Sequence, residues 1–295
     1  MPQRSLEVFG QLADLVADPS VTDVFANGAD ELWVDRGAGL LRERVDLSEP
    51  ELRALAVRLV SHGGRHVDEA SPCVDVRLFD GIRVHVVLPP ISPRGTLLSI
   101  RIPSDTRLTV TDPRLLALVE ARANLLITGA GGSGKTTLLA ALLSRAAPTE
   151  RIVAIEDVAE LRVVHPHFVS LEARQSNLEG VGEVSLARLL REALRMRPDR
   201  LVLGEVRGAE VRELLSALNT GHDGGAGTLH ANSLADVPAR LEALGALAGM
   251  SPAAMARQAV SAIGAVIHLE RVAGVRRLAA IGTFALDARD RLVIA

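Results

Sequence analysis

One stretch, Gly129-Ala-Gly-Gly-Ser-Gly-Lys-Thr-Thr137, constrains this chain more than any other. It follows the apolar run Leu125-Leu-Ile-Thr128 and precedes Leu138-Leu-Ala-Ala-Leu-Leu143, so a buried strand is expected to turn tightly into a helix. The spacing is G-x-x-x-x-G-K-[ST], and each residue type answers a need of a polyphosphate. Glycines let the backbone bend until successive N–H groups face phosphate oxygens, where a Cβ would obstruct. Lys135 offers a mobile positive charge to β- and γ-phosphates, the Thr136 hydroxyl is placed to ligate Mg²⁺, and the helix adds its positive N-terminal dipole. Gly129, Ala130, Gly131, Gly132, Ser133, Gly134, Lys135, Thr136 and Thr137 are therefore the expected phosphate-contacting residues.

At 295 residues the chain is long enough for two ordinary domains whose cores need no staples. Its 33 Lys and Arg against 36 Asp and Glu leave a formal net charge of −3, which supplies no global field for a polyanion. Aromatics at 2%, with no Tyr, leave few platforms for stacking bases, so a nucleic-acid partner is not implied. Cys73, the only cysteine, has no intrachain disulfide partner and cannot join a multi-cysteine zinc cage, which fits a reducing, cytoplasmic setting. No run of about eighteen apolar residues occurs. The start, MPQRSLEVFGQLADL, lacks the basic-then-apolar layout of a signal peptide, so a soluble chain without a transmembrane segment is expected, one able to dock on a membrane protein.

Residues 1–103 read as an α+β module. Leu6, Phe9, Leu12, Leu15 and Val16 recur at helical spacing until Asp18-Pro19-Ser20, strands are predicted at Thr22–Ala26 and Glu31–Asp35, and a second helix runs from Pro50 to His62. Val74–Phe79 and Ile82–Leu88 flank the hairpin signal Asp80-Gly81, and Leu97–Ile102 makes a further strand. A polar linker is predicted over 104–111, ending at the N-cap and first-turn proline Asp112-Pro113. In 112–295, strand-like runs at Leu125–Thr128, Ile152–Ile155, Leu201–Leu203 and Gly227–His230 alternate with helical segments. That alternation is the pattern of an α/β domain with a mainly parallel sheet.

Hydrolysis needs an acidic group to orient water and hold metal, and two acidic clusters stand at predicted strand ends, where ligands of such sheets gather. One is Glu156-Asp157, with Glu160 behind it; the other is Glu205, which ends the run Leu201-Val-Leu-Gly204. Glu205 is the candidate for polarising the attacking water. Gly204 stands where an aspartate would usually help hold Mg²⁺, so metal ligation falls to Thr136 and the phosphates, with Glu156, Asp157 or Glu205 acting through water. His222 and His230, set among the glycines of Thr220–Asn232, are candidates for contacting the γ-phosphate or relaying its presence. The alternative, a metal site, lacks an obvious third and fourth ligand.

The P-loop, the acidic box Arg151-Ile-Val-Ala-Ile-Glu-Asp-Val-Ala-Glu-Leu-Arg162, the segment Leu194-Arg-Met-Arg-Pro-Asp-Arg-Leu-Val-Leu-Gly-Glu-Val-Arg-Gly208 and the histidine box Asn219–Asn232 occur in this order. Together they resemble the type II/IV secretion ATPases, and most closely the TadA/CpaF branch that powers tight-adherence (Flp) pilus assembly. In that family the Gly-Glu strand ending is normal. Thr22–Asp35 and Asp80–Pro90 are similar to its N-terminal domain, though without the longer leading extension of many tight-adherence relatives. The resemblance implies a RecA-like P-loop ATPase domain with a smaller α+β N-terminal domain, a hexameric ring, ATP and Mg²⁺. It also implies a cytoplasmic motor, peripheral at the inner face of the membrane on an inner-membrane platform protein. Arg83 and Arg101, on matching motifs, would reach across to the phosphates, with Arg207 a further candidate. A DNA-conjugation-type secretion ATPase and a nucleotide-binding regulator with little turnover are the alternatives.

Overall fold

The computed structural model describes residues 6–37, 39–103, 108–174, 182–272 and 274–295, with Asp80 described by its backbone only. The chain divides into two compact units, Met1–Thr106 and Arg107–Ala295. The predicted linker falls partly outside the described residues, at 104–107; 108–111 form no helix or strand.

The first unit is built on a six-stranded antiparallel sheet. Its strands are β1 (Asp23–Asn27), β2 (Leu32–Asp35), β3 (Leu40–Glu43), β4 (Cys73–Arg77), β5 (Arg83–Val87) and β6 (Leu97–Arg101), in the order β3-β2-β1-β6-β5-β4. Alternate residues such as Val24, Val34, Val76, Val84, Val86 and Ile100 are buried, as the period of two requires of a sheet with one covered face. They pack with Leu52, Leu55, Leu59 and Val60 of α2 (Glu49–His62), which begins with a reciprocal capping box between Ser48 and Glu51. The single N-terminal helix predicted around Leu6–Val16 is instead a 3-10 helix, Glu7–Leu12, running into the short α1 (Ala13–Ala17). Gly10, with φ +54° and ψ −126°, breaks the helical run.

The second unit is a three-layer sandwich. Asp112 caps α3 (Pro113–Glu120), its carboxylate accepting the Arg114 N–H. The central sheet comprises β7 (Leu125–Gly129), β8 (Ile152–Glu156), β9 (Phe168–Glu172), β10 (Arg200–Leu203), β11 (Ala226–His230), β12 (Ala265–Val272) and β13 (Val275–Gly282). Their order is β13-β12-β7-β11-β10-β8-β9, parallel throughout except for the antiparallel pair β12–β13. β7, β8, β10 and all but the last residue of β11 are buried because both faces are covered there, whereas the outer strands β9 and β13 are largely half-buried or exposed. Leu125, Ile127, Ile152, Ala154 and Ile267 face α3 and α4 (Lys135–Leu143). Leu126, Val153, Ile155, Leu203 and Val266 face α5 (Leu186–Leu194), α6 (Val211–Leu218), α7 (Val237–Leu247) and α8 (Pro252–Ala262). The four predicted strands are present; β9, β12 and β13 were not anticipated. A two-stranded ribbon, β14 (Phe284–Leu286) with β15 (Leu292–Ile294), follows. Because β7, β8, β10 and β11 run parallel, their C-terminal ends meet at one edge of the sheet. That edge collects Gly129, Glu156, Gly204-Glu205 and His230.

Candidate phosphate-binding site

The loop from Gly129 to Gly134 has a conformation that few sequences can adopt. Gly129 (φ +149°), Gly132 (φ +70°) and Gly134 (φ +96°) occupy backbone regions that strain any side chain, and a Cβ on Gly129 would lie 2.3 Å from the Leu269 carbonyl oxygen. Lys135, only 6% exposed, donates from Nζ to the carbonyls of Gly129 (3.0 Å) and Ala130 (2.9 Å). Burial lowers its pKa, opposed by the Glu205 carboxylate. It is the only lysine in the chain. The Ser133 hydroxyl is buried with no hydrogen-bond partner among the described residues. A buried polar atom left so costs about 1–3 kcal/mol, a cost that a phosphate oxygen bound in the loop would remove, so the loop fits an anion. Thr136 is half-buried and Thr137 exposed at the start of α4.

The acidic residues have separate jobs. Glu156, 3% exposed at the end of β8, accepts the N–H groups of Glu160 (2.9 Å) and Leu161 (3.0 Å) on Oε1 and so shapes the loop that follows. Its side chain also accounts for Gly204: a Cβ there would lie 2.6 Å from Glu156 Cγ, so the aspartate common at that position does not fit. Glu205 Oε1 is 3.0 Å from His230 Nε2. The His230 ring in turn stands over the loop, since a Cβ on Gly131 would be 3.9 Å from its Cε1. Asp157 pairs with Arg207 at 2.6 Å; burial raises its pKa against the pull of that guanidinium, with Glu210 and Glu205 adding to the rise. Glu210 accepts the N–H groups of Arg207 and Gly208 and fixes the chain just after Glu205. Among the described residues, His, Cys, Asp and Glu form no group of three able to hold a metal ion.

His222 requires a correction. It precedes β11, its Nδ1 lies 3.1 Å from the Ala217 carbonyl at the end of α6, and the neighbouring Gly225 N–H donates to Asn124 just before β7. That is the edge of the sheet opposite the loop, roughly 13–16 Å away along a five-residue strand. The two histidines therefore do not converge, on phosphate or on metal. Arg83 and Arg101 belong to the first unit, where they are direct cross-strand neighbours; Arg77 pairs with Arg83, and Arg101 Nε is 3.0 Å from Asp23.

Two residues at the site went unanticipated because both lie on the unpredicted strands β12 and β13. His268, 4% exposed and in register with Thr128, places Nδ1 2.8 Å from Thr128 Oγ1, and its ring also hydrogen-bonds the Asn232 carbonyl. It thus ties the strand before the loop to the segment just after His230. Arg276 Nε donates to the Gly132 carbonyl at 3.0 Å. The apolar β-branched run around His268 was a usable strand signal; nothing local to Arg276 marks it.

With this geometry in hand, comparison with known proteins gives a consistent picture. A family model described as Type II/IV secretion system protein matches residues 6–274. A putative conjugal transfer protein of Mycobacterium tuberculosis is 48% identical over 299 residues, spanning 95% of this chain and 85% of that one. The conjugal transfer protein TrbB of Rhizobium radiobacter is 32% identical over 286 residues, spanning 91% and 85%. Among solved structures, the pilus retraction motor PilT superposes with a TM-score of 0.65 at 21% identity, covering 96% of this chain and 82% of that one. The Legionella pneumophila ATPase DotB gives 0.60 at 19%, covering 98% and 79%. These likenesses show the fold, a RecA-like P-loop domain with an N-terminal domain. The relatives carry conjugal-transfer names, so the family stands while the tight-adherence branch expected from the motifs gains no support. The chain belongs to the type II/IV secretion ATPase family.

Proposed function

We propose that this protein is an ATP-hydrolysing motor working at the cytoplasmic face of a membrane secretion machine. The observation that carries the proposal is the convergence of Lys135 with the Glu205–His230 pair at one edge of the sheet. The loop N–H groups and Lys135 would hold the polyphosphate, and Thr136 would hold Mg²⁺, which when bound neutralises phosphate charge. Glu205 would orient and deprotonate the attacking water. His230, touching Glu205 and standing over Gly131, would relay the presence of the γ-phosphate to that base. Arg83 and Arg101 would act on a neighbouring chain's nucleotide in a hexameric ring, so that turnover depends on assembly and closure.

Of the two settings expected from the sequence, the conjugal-transfer relatives favour a conjugation or type IV secretion machine over tight-adherence pilus assembly. Among the described residues no helix is long and apolar enough to cross a membrane, so engagement with an inner-membrane platform would be peripheral.

The test joins two measurements. Mg²⁺-dependent ATP hydrolysis per subunit should rise with protein concentration and vanish in Lys135→Ala. Because Lys135 is the sole lysine, an amine-acylating reagent reports on it alone apart from the N-terminus, and MgATP should protect it. Failure of MgATP to protect would overturn the site assignment. Protection without turnover, even at high concentration, would replace the motor with a nucleotide-binding regulator.

A further inference from the structure

Resting on the nucleotide site proposed above, we infer that Arg276 is a polyphosphate-binding residue of that site, supplied by the same chain from the β12–β13 hairpin. Arg276 is the second residue of β13 and pairs in register with Arg271 across the hairpin. Its Nε donates to the Gly132 carbonyl, and its Cδ lies 3.2 Å from where a Cβ on Gly134 would stand. The side chain therefore lies against Gly132 and Gly134, two of the three positive-φ glycines of the loop and the two nearer Lys135.

Two further facts separate it from the other arginines nearby. Arg207 is held by Asp157 at 2.6 Å and Arg277 by Glu270 at 2.6 Å, whereas among the described residues Arg276 has no carboxylate within 4.0 Å. A guanidinium carries five N–H donors, and among the described residues only the one on Nε of Arg276 has a partner, leaving the terminal fork to engage an anion bound in the loop. That fork matches two phosphate oxygens at once, which a lysine ammonium does not. The glycine at 134 keeps the approach open: a side chain there would press on the arginine's Cδ.

Arg276 differs in kind from Arg83 and Arg101. Being on the same unit as the loop, it acts on nucleotide affinity without a second chain, so its effect is present at protein concentrations too low for assembly.

The test is equilibrium binding of MgADP and MgATP to the full chain at low protein concentration, for wild type, Arg276→Ala, Arg276→Lys, Arg276→Gln and, as control, Arg277→Ala. Arg276→Ala should weaken both nucleotides roughly 10- to 100-fold, the scale of a charge-assisted hydrogen bond. Arg276→Lys, which keeps the charge, should bind more tightly than Arg276→Gln, which keeps an N–H donor for the Gly132 carbonyl without charge. Arg277→Ala should match wild type. Unchanged affinity in Arg276→Ala would overturn the inference. So would full rescue by Gln but not Lys, which would make the arginine a brace for the loop backbone. Wild-type protein that binds neither nucleotide would instead refute the nucleotide site itself.

Discussion

Glu205 and His230 face each other at 3.0 Å, and the value of that contact for chemistry depends on which group keeps a lone pair for water. Glu205→Gln preserves an oxygen for His230 and removes the base, so turnover should fall about 10²–10⁴-fold while MgATP binding persists. Loss of binding alongside turnover would mean that Glu205 shapes the site rather than serving as base. One residue earlier, Gly204 is dictated by its neighbour: an added methyl would meet Glu156 Cγ, whose carboxylate anchors the Glu160 and Leu161 N–H groups. Gly204→Ala should cost about 1–3 kcal/mol of stability in chemical denaturation, as overpacked cores do. A neutral result would show that Glu156 swings aside freely. The motif made Gly204 look like a missing aspartate, and only the packed side chain of Glu156 explains it.

Among the elements, β12 carries the least advertised contribution. Pairing with β7 sets His268 beside Thr128, while its ring also meets the Asn232 carbonyl, so one buried imidazole joins the strand that launches the phosphate loop to the segment leaving His230. Burial holds its pKa below 6.5, and Lys135 adds to the fall; the carboxylates of Glu270 and Asp236 and the bond to Asn232 oppose it. The folded state thus takes up this proton at lower pH than the unfolded chain. The contribution of the neutral ring is complete above the unfolded value of about 6.5 and is lost as pH falls through the lower folded value. The drop in denaturation midpoint between about pH 7.5 and about pH 5.5 should therefore be smaller in His268→Gln than in wild type. Equal drops would mean that the ring is not kept neutral by the fold. The run Ala265–Leu269 could be read as a strand from its own residues, but that it would pair with β7 and set His268 against Thr128, 140 positions away, could not.

At the scale of the whole molecule, the first unit lines up Arg77, Arg83 and Arg101 in one cross-strand row, and the second holds the phosphate loop. If Arg101 serves a neighbouring chain, Arg101→Ala should lose on the order of 10³-fold or more in turnover while retaining nucleotide affinity. Mixing it with Lys135→Ala should recover part of the activity, because mixed assemblies contain an intact loop facing an intact arginine. No recovery on mixing would confine the arginine to its own chain. The phosphate loop was legible because strand, turn and helix follow one another within Leu125–Leu143, where local sterics and the glycine backbone suffice. The parallel strands β7, β8, β10 and β11 were legible for a similar reason: an apolar run bounded by polar residues describes a strand buried on both faces. What no local pattern carries is the lateral order of those strands. That order brought His230 to the loop, whereas the length of β11 itself left His222, eight positions earlier, at the far edge. It also delivered Arg276 to Gly132 across 144 residues. Residue order decides which conformations each segment can adopt, whereas long-range pairing and packing decide which side chains meet.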